Sequence, residues 1–140
     1  MPSRIQEFCR EASQPVPGTP GEIARSIFES LALLYAVRLE ELEHLTGNSI
    51  HTLHIVGGGS RNLLLNQLTA DATGRTVIAG PVEATAIGNV LVQALAMGDL
   101  PNLQAAREVV SASFTVERYV SCGGSEWQDA RKRFLALKQP

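Results

Sequence analysis

The stretch His54-Ile55-Val56-Gly57-Gly58-Gly59-Ser60-Arg61-Asn62, continued by Leu63 to Gly74, decides the fold. Ile50, Leu53, Ile55 and Val56 form an apolar, partly β-branched run that leads into three consecutive glycines. After them Leu64, Leu65, Leu68 and Ala72 recur at helical spacing, so the segment reads as strand, glycine turn, helix. Residues without a Cβ can take positive φ and let another group approach the backbone. The N–H groups that open the following helix carry partial positive charge suited to a phosphate. A nucleotide site and a plain β-to-α turn both fit the glycines alone. The order is neither G-x-G-x-x-G nor a P-loop closed by Gly-Lys-Ser/Thr.

Working outward, Thr19-Pro20-Gly21-Glu22 is a helix start, with Thr19 as cap, Pro20 in the first turn and Glu22 closing a capping box. The helix is expected to run to Thr46, with Gly47 ending it and Ala24, Phe28, Leu31, Tyr35, Leu39 and Leu42 buried. Its other face carries Arg25, Glu29, Arg38, Glu41 and His44. Before it, Ile5, Phe8, Cys9 and Ala12 share one face of a short helix, ended by Gln14-Pro15-Val16-Pro17-Gly18. Beyond the central stretch, Thr76 to Ala79 reads as a short buried strand and Gly80-Pro81 as a turn. A helix then presents Ala84, Ile87, Gly88, Leu91 and Leu95 inward, and mid-helix Gly88 suggests close approach by a neighbouring backbone. Glu83 opens this helix, where a carboxylate is favoured. Asn102 to Val110 is a short helix, Phe114 to Val120 is extended, and Ser125 to Gln128 starts a final helix with Trp127, Ala130, Phe134 and Leu137 on one side. The order is α-α-β-α-β-α-α-β-α, an α/β domain with a small sheet flanked by helices.

The 140 residues suit one domain, 1–140, and 44% apolar with 19% charged residues is ordinary globular composition. A net charge of -2 gives no nucleic-acid footprint. The apolar runs break well before the ~18 residues of a membrane span, and no leader pattern opens the chain. Cys9 and Cys122 neither define a disulfide framework nor take zinc spacing, so reducing cytoplasm is the expected compartment.

Three blocks together resemble the C-terminal domain of the FGGY carbohydrate kinases: Ile55 to Asn62, Asn66 to Gly74, and Gly80-Pro81-Val82-Glu83-Ala84-Thr85-Ala86-Ile87-Gly88-Asn89. Gly21 to Ala32 fits the same family, so the resemblance covers roughly Pro2 to Asp99, and Val120 to Gly124 depart from the pattern. Within the family the chain is most similar to the branch that phosphorylates L-rhamnulose. The resemblance implies the actin-like ATPase (ribonuclease H-like) fold, with this chain forming most of the C-terminal lobe. The N-terminal kinase lobe would be absent and ATP would lie in the cleft between lobes.

By the same resemblance Gly58 matches the family's ATP-contacting glycine and Asn62 its nucleotide-contacting asparagine, with Gly57 and Gly59 supplying freedom and clearance. Arg25, Ser26 and Glu29 match by analogy a helix that flanks adenine in the wider superfamily, although a solvated charged face is the simpler reading. Some bacterial members carry cysteines where this chain has Thr69 and Thr73, so any bridge there is lost. The family's catalytic aspartate, sugar pocket and other phosphate loop precede the matching region. Asp71 and Asp99 are poor substitutes, one packed behind the turn and one in a helix-ending loop.

The chain is therefore expected to be the ATP-binding portion of a sugar kinase using ATP/ADP with Mg²⁺, inactive alone, in which Mg²⁺ has no identifiable ligand. A self-associating interaction module, a homo-oligomer through the exposed lobe interface, is the alternative. A dinucleotide-binding domain expects an acid about 20 positions after the glycines. Val77-Ile78-Ala79-Gly80 stands there instead.

Overall fold

Residues 1–137 are described by the computed structural model. Helix α1 (Pro2–Glu11) is followed by the long α2 (Pro20–Thr46). The start of α2 forms as the sequence predicts: Glu22 N–H donates to Thr19 Oγ1 at 3.2 Å, while Gly18 and Thr19 N–H donate to Glu22 Oε2 at 2.7 and 3.0 Å. These bonds, led by the one from Gly18, hold the Glu22 carboxyl below its ordinary pKa. Gly47, in the left-handed region at φ 68°, ends the helix.

The sheet is small and mixed. β1 (Thr52–Ile55) lies parallel to β2 (Thr76–Ala79), and β3 (Glu117–Tyr119) lies antiparallel to β2, in the order β1-β2-β3. Leu53 is opposite Val77, and Val77 is opposite Tyr119, so Val77 sits at the middle of the central strand with no exposed surface. His51 and Ile55 carbonyls accept from Thr76 and Gly80 N–H, and strand alternation then turns the backbone groups of Thr52 and His54 toward the open edge. Helix α3 (Leu63–Thr73) crosses from β1 to β2 and packs against α2. The remaining helices are α4 (Ala84–Met97), α5 (Leu103–Ser113) and α6 (Glu126–Leu137), the last docking on α2 and α3 with an Arg131–Glu40 ion pair.

Two faces differ from expectation. On α2 the buried residues are Ala32, Leu33, Ala36, Val37 and Leu39, whereas Ala24, Tyr35 and Leu42 are exposed. Apolar residues surround much of this helix, and its packing on α3, α1 and α6 selects a face that periodicity alone leaves undetermined. On α3 the fully buried positions include polar Asn66 and Thr69, while Leu64 is exposed. Gly88 is a third difference: nothing lies within 4 Å of where its Cβ would stand, so the expected close approach does not occur among the described residues.

Candidate functional site

The glycine turn sits at the carboxyl end of β1, the edge of an open α/β sheet where ligands commonly bind. Gly57–Arg61 forms a short 3-10 helix, and Asn62 caps α3 by accepting the Leu65 N–H at 3.0 Å. Gly57 takes φ 74°, a backbone conformation that side chains rarely adopt, and its N–H donates to Pro81 O at 3.1 Å. Ser60 Oγ donates to Gly57 O at 2.7 Å and closes the turn from within. The Gly58 N–H heads this turn without an acceptor, because the i→i−3 register of a 3-10 helix capped by Val56 begins with the Gly59 N–H.

The three glycines are not equivalent. Only Gly57 needs glycine for its φ. Gly58 has ordinary φ, is exposed, and would place a Cβ with nothing within 4 Å. A Cβ on Gly59 would meet Ile55 Cγ2 at 3.8 Å, an ordinary contact. The expectation that Gly59 and Gly57 share one role is thereby refined: of the three, only Gly57 is a glycine that the backbone itself requires.

Around the turn, the Gly80–Val82 loop runs alongside, with Val82 O 3.9 Å from the position of a Gly57 Cβ. Glu83 follows it, exposed at the head of α4. Asn62 is half-buried, and its Nδ2 has no bonding partner among the described residues. Arg25, Ser26 and Glu29 lie elsewhere: Arg25 pairs with Glu29 at 2.7 Å, Ser26 Oγ donates to Ile23 O at 2.8 Å, and Arg25 and Glu29 line a crevice with Asp71, Cys122, Trp127 and Arg133. That crevice includes none of residues 57–62. A second groove, about 380 Å³, does reach the turn, at Gly59, and is lined by Tyr35, Arg38, Leu39, Leu42, Leu53 and Leu65 among others.

Two residues beyond the expected set make structural bonds, Asn66 beneath the turn and Asp71 at the crevice. Asn66, wholly buried in α3, donates from Nδ2 to Ser60 O at 2.9 Å. Asp71, expected only to pack, accepts from Cys122 N–H at 2.7 Å, Gly123 N–H at 3.1 Å and Gln67 Nε2 at 3.0 Å, fastening the loop before α6. Asn66 stands one helical turn after the Asn62 cap, and that spacing was the available signal for it. Asp99 is exposed in the loop after α4. Thr69 and Thr73 hydroxyls bond back to Leu65 O and Thr69 O, each at 2.7 Å. Among the described residues, no group of three or more His, Cys, Asp or Glu could hold a metal ion, and no helix is long and apolar enough to cross a membrane.

A parallel strand pair ending in a glycine turn at a helix N-terminus has the build with which α/β proteins meet anionic groups. The family is given by comparison: the model of the FGGY family of carbohydrate kinases, C-terminal domain, matches residues 1–97, and the chain belongs to that family. Its mixed sheet and flanking helices are the α/β architecture of that domain in the actin-like ATPase fold. Among curated relatives, a protein named rhamnulokinase from Enterococcus faecalis is 54% identical over 121 residues, 85% of this chain and 24% of the relative. Rhamnulokinase from Enterobacter sp. (strain 638) is 52% identical over 85% of this chain and 24% of its own length. Rhamnulokinase from Bacteroides thetaiotaomicron is 48% identical over 96% of the chain and 28% of its own length. The chain spans about a quarter of the length of the curated relatives it matches.

Proposed function

We propose that this chain, as one domain, is the C-terminal ATP-binding portion of a rhamnulokinase-like sugar kinase, with Gly57, Gly58, Gly59 and Asn62 on the nucleotide. The parent reaction is ATP plus L-rhamnulose giving ADP plus L-rhamnulose 1-phosphate. One observation carries the reading: Gly58 is a glycine that neither its φ nor its surroundings require, so the reason for a missing side chain is something that approaches from outside. The α3 N-terminus and the Gly58 N–H suit a phosphate or ribose oxygen there, and Asn62 retains Nδ2 as a donor.

When bound, Mg²⁺ would offset phosphate charge during transfer, and no residue of this chain is identified as its ligand. The residues here bind and orient; the group that accepts the sugar proton comes from the N-terminal lobe. Half a cleft leaves much of the ligand in water, so this chain alone binds weakly and transfers nothing. Unbonded Cys9 and Cys122 fit the reducing cytoplasm that we assign.

The test is reconstitution. The chain is co-expressed with the non-matching, upstream portion of the Enterococcus faecalis relative, and ADP release is followed with L-rhamnulose. Sugar-dependent ADP release by the pair, with neither part active alone, supports the reading; a stable complex without turnover contradicts it. A second reading, a self-associating module, is favoured by the apolar groove beside the open β1 edge. Light scattering that returns a stable dimer with no nucleotide affinity would select it.

A further inference from the structure

Asn66 has no exposed surface and shares the buried face of α3 with Thr69 and Ala70, three and four positions on. It does not cap α3, because Asn62 does. Burying an amide in such a place is costly unless it is hydrogen-bonded, and an apolar residue would suit the packing better. The amide has one partner: Nδ2 reaches six residues back to the Ser60 carbonyl, while Oδ1 has none.

Ser60 is itself a hinge of the turn. Its hydroxyl ties Gly57 O from one side, and Asn66 ties its carbonyl from the other. The Ser60 carbonyl is thus fixed from beneath by a core side chain, and the Gly57 carbonyl by the Ser60 hydroxyl.

Tyr119 of β3 pairs with Val77, against which α3 packs, and its hydroxyl donates to Glu117. Glu117 raises the Tyr119 pKa, burial adds to it and the Asn66 amide opposes it, and with the hydroxyl proton given to Glu117, Tyr119 leaves Oδ1 without a donor. β3 lies beyond the residues that the family model matches.

We infer that Asn66 is a positioning residue that holds the Gly57–Arg61 turn in its receiving shape through its bond to Ser60 O; the receiving role rests on the nucleotide reading above. Asn66→Asp keeps the size and, once ionised, removes both donors. Amide hydrogen exchange is compared without nucleotide between residues 57–62 and the β2 segment 76–79, with Thr69→Val as a control of equal burial.

Asn66→Asp is expected to speed exchange in 57–62 about tenfold more than in 76–79, and to weaken Mg-ATP binding by a similar factor. Thr69→Val should leave the ratio unchanged. Equal acceleration of the two segments, or none, overturns the proposal. Should Asn66→Asp not fold, the wild-type Asn66 side-chain NH₂ decides: exchange as slow as the 57–62 amides upholds the role, and exchange at the rate of an exposed amide overturns it. Absence of nucleotide binding by wild type would remove the nucleotide reading, while the exchange ratio judges the holding role independently.

Discussion

Replacing Gly58 by alanine separates folding from binding. Its φ lies outside the left-handed region and a Cβ there meets nothing within 4 Å, so the folded chain accommodates alanine without strain. The change removes freedom from the unfolded chain, which is worth about 0.4–1 kcal/mol of added stability. For a domain of this size that raises Tm by about 1–3 °C. The same methyl stands where we seat the nucleotide, and should weaken binding about tenfold, or ~1.4 kcal/mol.

Gly57→Ala is the counterpart. At φ 74° it meets backbone strain of about 1–2 kcal/mol and should lower Tm. Thermal unfolding read by circular dichroism, with nucleotide titration of each variant, gives both quantities. A Gly58→Ala protein that loses Tm like Gly57→Ala would refute the reasoning about the backbone. One that binds Mg-ATP like wild type would refute the reasoning about the ligand.

Other consequences rest on separate contacts. Glu43 accepts from Arg75 Nη2 at 2.5 Å and from Ile50 N–H at 2.6 Å, and the Arg75 bond leads in holding its pKa below the ordinary value. Because the folded pKa is the lower one, this stabilisation is full above the unfolded value of 4.5 and is lost as pH falls through the folded value. Glu43→Gln should therefore flatten the acid limb of a Tm-against-pH curve; an unchanged limb argues against the pair. Val77→Ala, in the centre of the sheet, should cost about 2 kcal/mol in urea unfolding without changing the slope. Asp71→Ala should release the loop at Cys122 and Gly123, so that Cys122 reacts faster with a thiol reagent. An unchanged labelling rate would mean that the loop is held by other contacts.

Features written locally in the chain were legible in it. Thr19, Glu22 and Gly47 bound α2 where their capping chemistry directs, and Gly74 and Gly98 end α3 and α4 in left-handed conformations. The strand-turn-helix around Gly57–Gly59 also formed, because the switch from apolar run to glycines to helical spacing needs no tertiary information. The face that α2 buries did need it: Tyr35 and Ala36 are neighbours of similar promise, and only the position of α3 distinguishes them.

At the site, sequence pointed to the turn but gave Gly57 and Gly59 one role. Their separation depends on φ, which residue identity does not reveal. Asn66 and Asp71 were hidden for a related reason. Their partners, Ser60 O and the Cys122 and Gly123 amides, are backbone groups whose locations follow only from the assembled fold.

The most direct test of the central claim is isothermal titration of the chain with Mg-ATP and ADP, beside Gly58→Asp and Asn62→Ala variants verified as folded. Weak binding by wild type that both folded variants lose is the predicted result. No heat from wild type at millimolar nucleotide would contradict it, leaving Gly57 to Asn62 as only a turn.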